Sequence, residues 1–157
     1  MFELISRVPS RYYLAYGSNL HTDQMAHRCP GAKVIDTATL KDYRLVFRGG
    51  RHGAVATVEP CVGKSVPVLL WGITEANERS LDIYEGWPRL YRKEYVPVTV
   101  DGKQRTAMMY VMTDGHELGE PSPGYYSVIA HGYKDFGFDL SILNQAVKDS
   151  VDNSQWN

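Results

Sequence analysis

Tyr-Tyr-Leu-Ala-Tyr-Gly-Ser-Asn-Leu, residues 12–20, is the segment from which the fold is best predicted. The apolar, aromatic run at residues 12–16 is typical of a buried strand. Residues 17–19 favour a turn, and residues 22–28, which end before Pro30, favour a short helix. A strand that leads through a glycine turn into a helix leaves backbone N–H groups free to bind anions and oxyanions. From the residues alone, an ordinary strand–turn–helix junction remains the favoured interpretation.

The rest of the chain shows strand patterns first and helix patterns last. Alternating apolar and polar residues indicate half-buried strands, and Asp101-Gly102 between two such segments indicates a hairpin. Thr74 is a favourable helix cap and Gly86 a favourable helix end. The predicted strands are residues 42–48, 54–59, 66–73, 91–100 and 103–112, and the predicted helices are residues 75–84, Pro123 to about Gly137, and 140–151. This order predicts an α+β fold with a mostly antiparallel sheet or small barrel.

Length and composition fit one globular domain. The chain has 157 residues, a net charge of −1, and 43% hydrophobic and 22% charged residues, so we expect a single domain over residues 1–157 with its core at about 12–150. The balanced charge gives no general attraction for nucleic acid or for an anionic membrane. Cys29 and Cys61 are too few for a disulfide framework, and residues 1–13 lack the apolar segment of a secretion signal. We therefore expect a cytoplasmic protein with two free thiols.

Most motifs that mark a known chemistry are absent from the sequence. It contains no P-loop, no dinucleotide-binding GxGxxG after a strand and no HExxH. The five histidines lack a convincing ligand spacing, so no metal site is expected. Ser18 does not lie in a GxSxG elbow. A nucleophilic Ser18 would need a base such as His21 or His131, and nothing in the sequence places one beside it.

Glu85 follows the predicted helix at its C-terminal end, where the helix dipole disfavours a negative charge. The dipole, with any burial, would raise the pKa of Glu85 toward the range that suits a general base near neutral pH. A solvated glutamate on a frayed turn is the competing interpretation. Tyr91, Tyr125 and Tyr126 could donate hydrogen bonds into a pocket, or could pack in the core and in strands.

Four blocks of residues follow one another along about residues 12–147. They are Tyr13 to Leu20; Leu81-Asp82 with Glu85-Gly86, Pro88, Tyr91 and Arg92; Tyr110 to Thr113; and Pro121 to Tyr125 with Ile129, Gly132 and Gly137. In this order they resemble the γ-glutamylcyclotransferase (AIG2-like) family, and particularly its glutathione-pathway type. Residues 86–90, between Glu85 and Tyr91, differ from the sequence that is commonest there in that family. The identity of the group that the substrate releases therefore stays open.

The resemblance implies a small, mixed, mostly antiparallel β-barrel flanked by helices. It also implies a cofactor-independent reaction, in which the α-amine of a γ-glutamyl compound attacks its own γ-carbonyl, 5-oxoproline forms, and an amino acid leaves. By the same resemblance Glu85 is the general base, and the substrate-binding residues are Tyr16, Gly17, Ser18, Asn19, Leu20, Tyr91 and Tyr125. The expected partner is a small γ-glutamyl substrate, without nucleic acid or membrane, and a homodimer is possible.

Two alternatives within the same fold stay open at this stage. One is a γ-glutamylamine cyclotransferase, which would release an amine, although the Pro121-Ser122-Pro123 block argues mildly against it. The other is a binding module that has lost turnover, although such a module would have no need of Glu85.

Overall fold

A computed structural model describes residues 9–154 and contains one five-stranded sheet with helices around it. The strands are β1 (Arg11–Ala15), β2 (Lys33–Arg48), β3 (Val55–Ile73), β4 (Tyr91–Val100) and β5 (Lys103–Met112). The helices are α1 (Thr22–Arg28), α2 (Glu75–Glu85), α3 (Pro123–Asp135) and α4 (Leu140–Ser154), and a 3-10 turn occupies Ser18–Leu20. The expectation that no secretion signal is present concerns residues that lie mostly outside the described part.

The short strand β1 lies in the middle of the sheet, whose order is β2-β3-β1-β5-β4. It pairs antiparallel with β3 and parallel with β5, while the other pairs are antiparallel. The predicted α+β fold with a mixed, mostly antiparallel sheet is confirmed. Within residues 9–154 no backbone ladder closes the sheet between its edge strands β2 and β4. A side-chain hydrogen bond joins these edges instead, since the Tyr43 hydroxyl donates to Glu94 Oε1 at 3.2 Å.

Two strand predictions are corrected by the structure. Strand β2 begins at Lys33 rather than at residue 42. Its first residues are almost all exposed, and their apolar members, among them Val34 and Ile35, do not alternate with polar ones, so the sequence gives no half-buried strand pattern there. Residues 54–59 and 66–73, predicted as two strands, are parts of the single strand β3, which begins one residue later, at Val55. Pro60 and Gly63 suggest an interruption, yet pairing with β2 continues on both sides of them, with a register irregularity in β2 between Lys41 and Tyr43.

Helix α2 places Glu85, its last residue, at one end of the sheet. Thr74 Oγ1 accepts a hydrogen bond from the Asn77 N–H, and Asn77 Oδ1 accepts one from the Thr74 N–H, both at 3.0 Å, which forms a capping box. At the other end Gly86 has φ 66°, a left-handed conformation that glycine adopts without strain. Glu85 is therefore the last residue of α2, one position later than predicted.

Ionic contacts hold α2 against the sheet. Lys93 of β4 places Nζ 2.8 Å from Glu78 and 2.9 Å from Asp82. The Tyr110 hydroxyl of β5 donates to Asp82 Oδ1 at 2.6 Å. These groups fix the last turn of the helix and, with it, the direction of Glu85.

The two C-terminal helices pack on the other side of the site. Gly132 of α3 lies so close to Leu20 that an added Cβ would come within 2.5 Å of the Leu20 Cβ. Leu143 and Ala146 of α4 are buried in the core. Within residues 9–154, the helices are too short or too polar to span a membrane.

Candidate active site

A cavity of about 180 Å³ opens where the end of β1, the start of β3, the end of α2 and the start of α3 meet. Seven of the eight residues predicted for the site line it, and the eighth, Leu20, does not. The lining residues are Tyr13, Tyr16, Gly17, Ser18, Asn19, Val55, Ala56, Tyr84, Glu85, Leu90, Tyr91, Tyr110 and Tyr125.

Leu20 supports the turn from the core. Its side chain is fully buried and faces Gly132 of α3. Its backbone N–H donates to the Gly17 carbonyl at 3.0 Å, which closes the 3-10 turn. Leu20 therefore shapes the glycine turn and leaves the lining of the cavity to the residues before it.

The turn presents unused backbone donors to the cavity. The N–H groups of Gly17, Ser18 and Asn19 donate to no acceptor within residues 9–154. Gly17 also lies in tight contact, because an added Cβ would come within 3.3 Å of Ala56 and 3.5 Å of the Tyr125 hydroxyl. Three successive free N–H groups on one turn suit a carboxylate or an oxyanion.

The tyrosine hydroxyls divide into two kinds according to their partners. Tyr91 donates its proton to the Ala56 carbonyl at 2.6 Å, and Tyr16 donates to the Tyr110 carbonyl at 2.5 Å. Tyr125 instead accepts from the Ala56 N–H at 3.0 Å, and Tyr13 accepts from Asn19 Nδ2 at 2.9 Å. Tyr125 and Tyr13 therefore keep a hydroxyl proton for a ligand, whereas Tyr91 and Tyr16 do not.

Glu85 is the carboxylate that lines this cavity. Burial raises its pKa to about 7, although the positive charge of Arg28 acts in the opposite direction. The carboxylate forms no hydrogen bond and no ion pair with the described residues. It can therefore both take up and give back a proton near neutral pH. The pKa of Glu85 is thus raised, as its position at the helix end predicts, and the main cause is burial.

The surrounding tyrosines stay neutral. Burial raises the pKa of Tyr13, Tyr16 and Tyr125 above the ordinary value for tyrosine, and the nearby Glu85 charge raises each further. Their hydroxyls therefore act as neutral hydrogen-bonding groups.

Sequence reasoning missed Arg28 and Tyr84, which contact each other beside the glycine turn. The Arg28 guanidinium lies over the Tyr84 ring, 3.4 Å from its centroid. Arg28 Nη1 donates to Ser18 Oγ at 3.3 Å and to Asn19 Oδ1. In the sequence Arg28 is one more basic residue in the last turn of a helix, and that position alone carries no functional signal.

The arrangement around Ser18 does not favour a nucleophilic serine. Ser18 Oγ lies 3.4 Å from the Tyr84 hydroxyl and 3.3 Å from Arg28 Nη1. Among the described residues no histidine forms a hydrogen bond with it. His21 instead accepts from the Gln24 N–H and stacks on His131 at 4.5 Å.

Cys29 lies behind the turn and is unreactive in this environment. It is fully buried, its thiol contacts the Asn77 carbonyl at 3.6 Å, and burial raises its pKa to about 11. The thiol is therefore protonated at neutral pH. Cys29 and Cys61 are both free.

Comparison with known proteins relates the whole region to one family. A family model described as gamma-glutamyl cyclotransferase, AIG2-like, matches residues 13–132. Curated proteins named gamma-glutamylcyclotransferase from Bos taurus and Homo sapiens are each 36% identical to this chain, and each match covers 82% of this chain and 72% of the relative. A solved gamma-glutamyl cyclotransferase superposes with a TM-score of 0.76 at 32% identity, over 87% of this chain and 85% of that one.

Proposed function

The chain belongs to the γ-glutamyl cyclotransferase, AIG2-like family, and we propose that it is a γ-glutamylcyclotransferase that converts γ-glutamyl amino acids into 5-oxoproline and a free amino acid. One observation carries this proposal. A carboxyl group with a pKa of about 7, Glu85, lines the same small cavity as the free N–H groups of residues 17–19. The reaction needs a proton acceptor and an oxyanion site together.

Glu85 would supply the proton transfers. The substrate's α-ammonium group must lose a proton before its nitrogen can attack the γ-carbonyl carbon. A carboxylate whose pKa lies near 7 can accept that proton at physiological pH. The C–N bond to the leaving group then breaks, and the protonated Glu85 would return the proton to the departing nitrogen. The ring nitrogen still carries one extra proton after its attack, and Glu85 would transfer that second proton to the released amine in the same way. Glu85 thus ends in its starting state, and the reaction consumes no water.

Hydrogen-bond donors on the other side of the cavity would stabilise the intermediate. As the new C–N bond forms, the γ-carbonyl oxygen becomes an oxyanion. The N–H groups of residues 17–19 and the Tyr125 hydroxyl are fixed donors that can meet either this oxygen or the substrate's carboxylate. Because the attack is intramolecular, holding the γ-glutamyl chain folded also contributes to the rate.

The test is a search for 5-oxoproline by mass spectrometry. The purified protein would be incubated with γ-glutamyl amino acids, glutathione and γ-glutamyl-lysine. We expect 5-oxoproline and a free amino acid from the γ-glutamyl amino acids. For Glu85→Gln we expect the rate to fall by at least about 100-fold. Glu75→Gln is the matched control, because Glu75 is an exposed glutamate at the opposite end of α2. Product from γ-glutamyl-lysine alone would favour release of an amine, and no product from a folded protein would favour a binding module.

Two tyrosine variants sharpen the test. Tyr91 and Tyr125 bond to the carbonyl and the N–H of the same residue, Ala56. Each Phe substitution therefore removes one partner of Ala56, whereas only Tyr125→Phe removes a free donor proton. We expect kcat to fall by about 100-fold for Tyr125→Phe and much less for Tyr91→Phe. Equal losses in kcat would contradict the assigned role of Tyr125.

The compartment and the oligomeric state stay predictions. Two free cysteines, one of them deeply buried, are compatible with a reducing compartment such as the cytoplasm. A homodimer is checked by the sedimentation of the purified chain.

A further inference from the structure

Arg28 connects two parts of the site that are far apart in the sequence. It is the last residue of α1, and it does not itself line the cavity. Its Nη1 donates to Ser18 Oγ and Asn19 Oδ1 in the turn, while its guanidinium plane covers the ring of Tyr84 in α2. The Tyr84 hydroxyl completes a closed set of contacts at 3.4 Å from Ser18 Oγ.

Arg28 is also the cation that acts on Glu85. Its charge lowers the pKa of Glu85, against the larger effect of burial. The other titratable groups that line the cavity with this carboxylate are six tyrosines: Tyr13 of β1, Tyr16 directly after β1, Tyr84 of α2, Tyr91 of β4, Tyr110 of β5 and Tyr125 of α3. The nearest other acid in α2, Asp82, is paired with Lys93 and Tyr110.

We propose that Arg28 is a positioning residue, which holds the amide turn of residues 17–19 against Tyr84, the residue that precedes Glu85 in α2. The role of Arg28 in catalysis rests on the proposed function. Its structural part stands on the contacts of Arg28 itself.

The contacts need a guanidinium group in particular. A planar guanidinium stacks on an aromatic ring while its nitrogens donate in the plane to two acceptors. A lysine would keep the positive charge near Glu85 but would lose the planar stacking on Tyr84 and, with it, the fixed direction of the two donated bonds. Lysine and glutamine substitutions at this position therefore separate the two roles of Arg28.

The first test follows Glu85 directly, without substrate. The ¹³C signal of its carboxyl group is titrated by NMR in the wild type, Arg28→Gln and Arg28→Lys. We expect the titration midpoint to rise by about 1 pH unit in Arg28→Gln and to stay near the wild-type value in Arg28→Lys. Arg105→Gln, which removes an exposed arginine near the β4–β5 hairpin, is the matched control. An unmoved midpoint in Arg28→Gln would overturn the electrostatic role.

The second test follows the turn and the rate. We expect the amide protons of Leu20 and His21, which donate to the Gly17 and Ser18 carbonyls and so close the turn, to exchange faster in both Arg28 variants. For Arg28→Lys we expect about a 10-fold rise in KM, while the acidic limb of the pH profile of kcat/KM keeps its wild-type midpoint. For Arg28→Gln we expect that limb to move toward alkaline pH. Unchanged amide exchange in Arg28→Lys would overturn the positioning role, even if Arg28→Gln failed to fold. A wild type that makes no 5-oxoproline would refute the proposed function, while the Glu85 titration would still decide the role of Arg28.

Discussion

Glu85 is held in a state that weakens the folded protein. Its pKa is about 7 in the folded chain against an ordinary value of 4.5. Between these values the folded state binds more protons than the unfolded state, so stability falls as the pH rises. The loss of stability is absent below about pH 4, where both states keep the proton. It is complete above about pH 7, where both states have lost it.

Glu85→Gln should therefore stabilise the protein in a pH-dependent way. We expect its free energy of unfolding to exceed that of the wild type by about 1–3 kcal/mol at pH 8 and to equal it at pH 4. Urea unfolding at the two pH values measures this difference. Glu75→Gln should show no comparable change with pH, since Glu75 is exposed at the start of α2. A Glu85→Gln variant no more stable than the wild type at pH 8 would show that Glu85 is ordinarily solvated.

The sequence predicts which residues form the site better than it predicts what each one does. Glu85, Tyr91 and Tyr125 follow from motif order, and the structure brings them to one cavity. The free proton of Tyr125 and the occupied proton of Tyr91 depend on which atom of Ala56 each hydroxyl meets. Arg28 was missed for the same reason, because its partner Tyr84 comes from a distant helix.

At the scale of elements, α3 and the glycine turn meet at one close contact. A methyl group added at Gly132 would lie 2.5 Å from the Leu20 Cβ and 3.0 Å from the Leu20 carbonyl oxygen. Gly132→Ala should therefore push α3 away from the turn and cost about 1–3 kcal/mol of stability. Because α3 also carries Tyr125, we expect the rate of 5-oxoproline formation to fall as well.

Gly124 of the same helix is the matched control. No atom lies within 4 Å of a Cβ added there, and alanine favours a helix by up to about 1 kcal/mol over glycine. Gly124→Ala should therefore keep or raise the stability measured by thermal unfolding. If Gly132→Ala were equally harmless, the contact between α3 and the turn would not be tight.

Elements with local signals were predicted well, and those held by their neighbours were not. Helix α1 and the β4–β5 hairpin have the predicted bounds, because the residues that end the helix and form the turn lie next to these elements in the sequence. The first part of β2 is almost entirely exposed and lacks a regular apolar alternation, and it is a strand because β3 pairs along its length. Only the tertiary pairing supplies that information.

At the scale of the whole molecule, α4 is tied to the sheet that supports the cavity. Ser150 Oγ accepts from the Phe47 N–H at 2.9 Å and donates to the Ala146 carbonyl at 2.8 Å. The ring of Phe47 then meets the ring of Tyr125 edge to face, with centroids 6.4 Å apart. Helix α4 follows the segment that the family model matches, residues 13–132, yet it contacts the core beneath the site.

Ser150→Ala would leave the buried Phe47 N–H without its acceptor. We expect a loss of about 1–3 kcal/mol in the free energy of unfolding, whereas Ser141→Ala, at an exposed position of the same helix, should change it little. Urea unfolding followed by helix signal and by tryptophan fluorescence measures both variants, since Trp71 donates to the Asn19 carbonyl in the turn at 3.1 Å. If α4 and the cavity belong to one cooperative unit, the two signals of Ser150→Ala shift together to lower urea. A helix transition that separates from the fluorescence transition would instead show that α4 unfolds on its own and that the cavity does not depend on it.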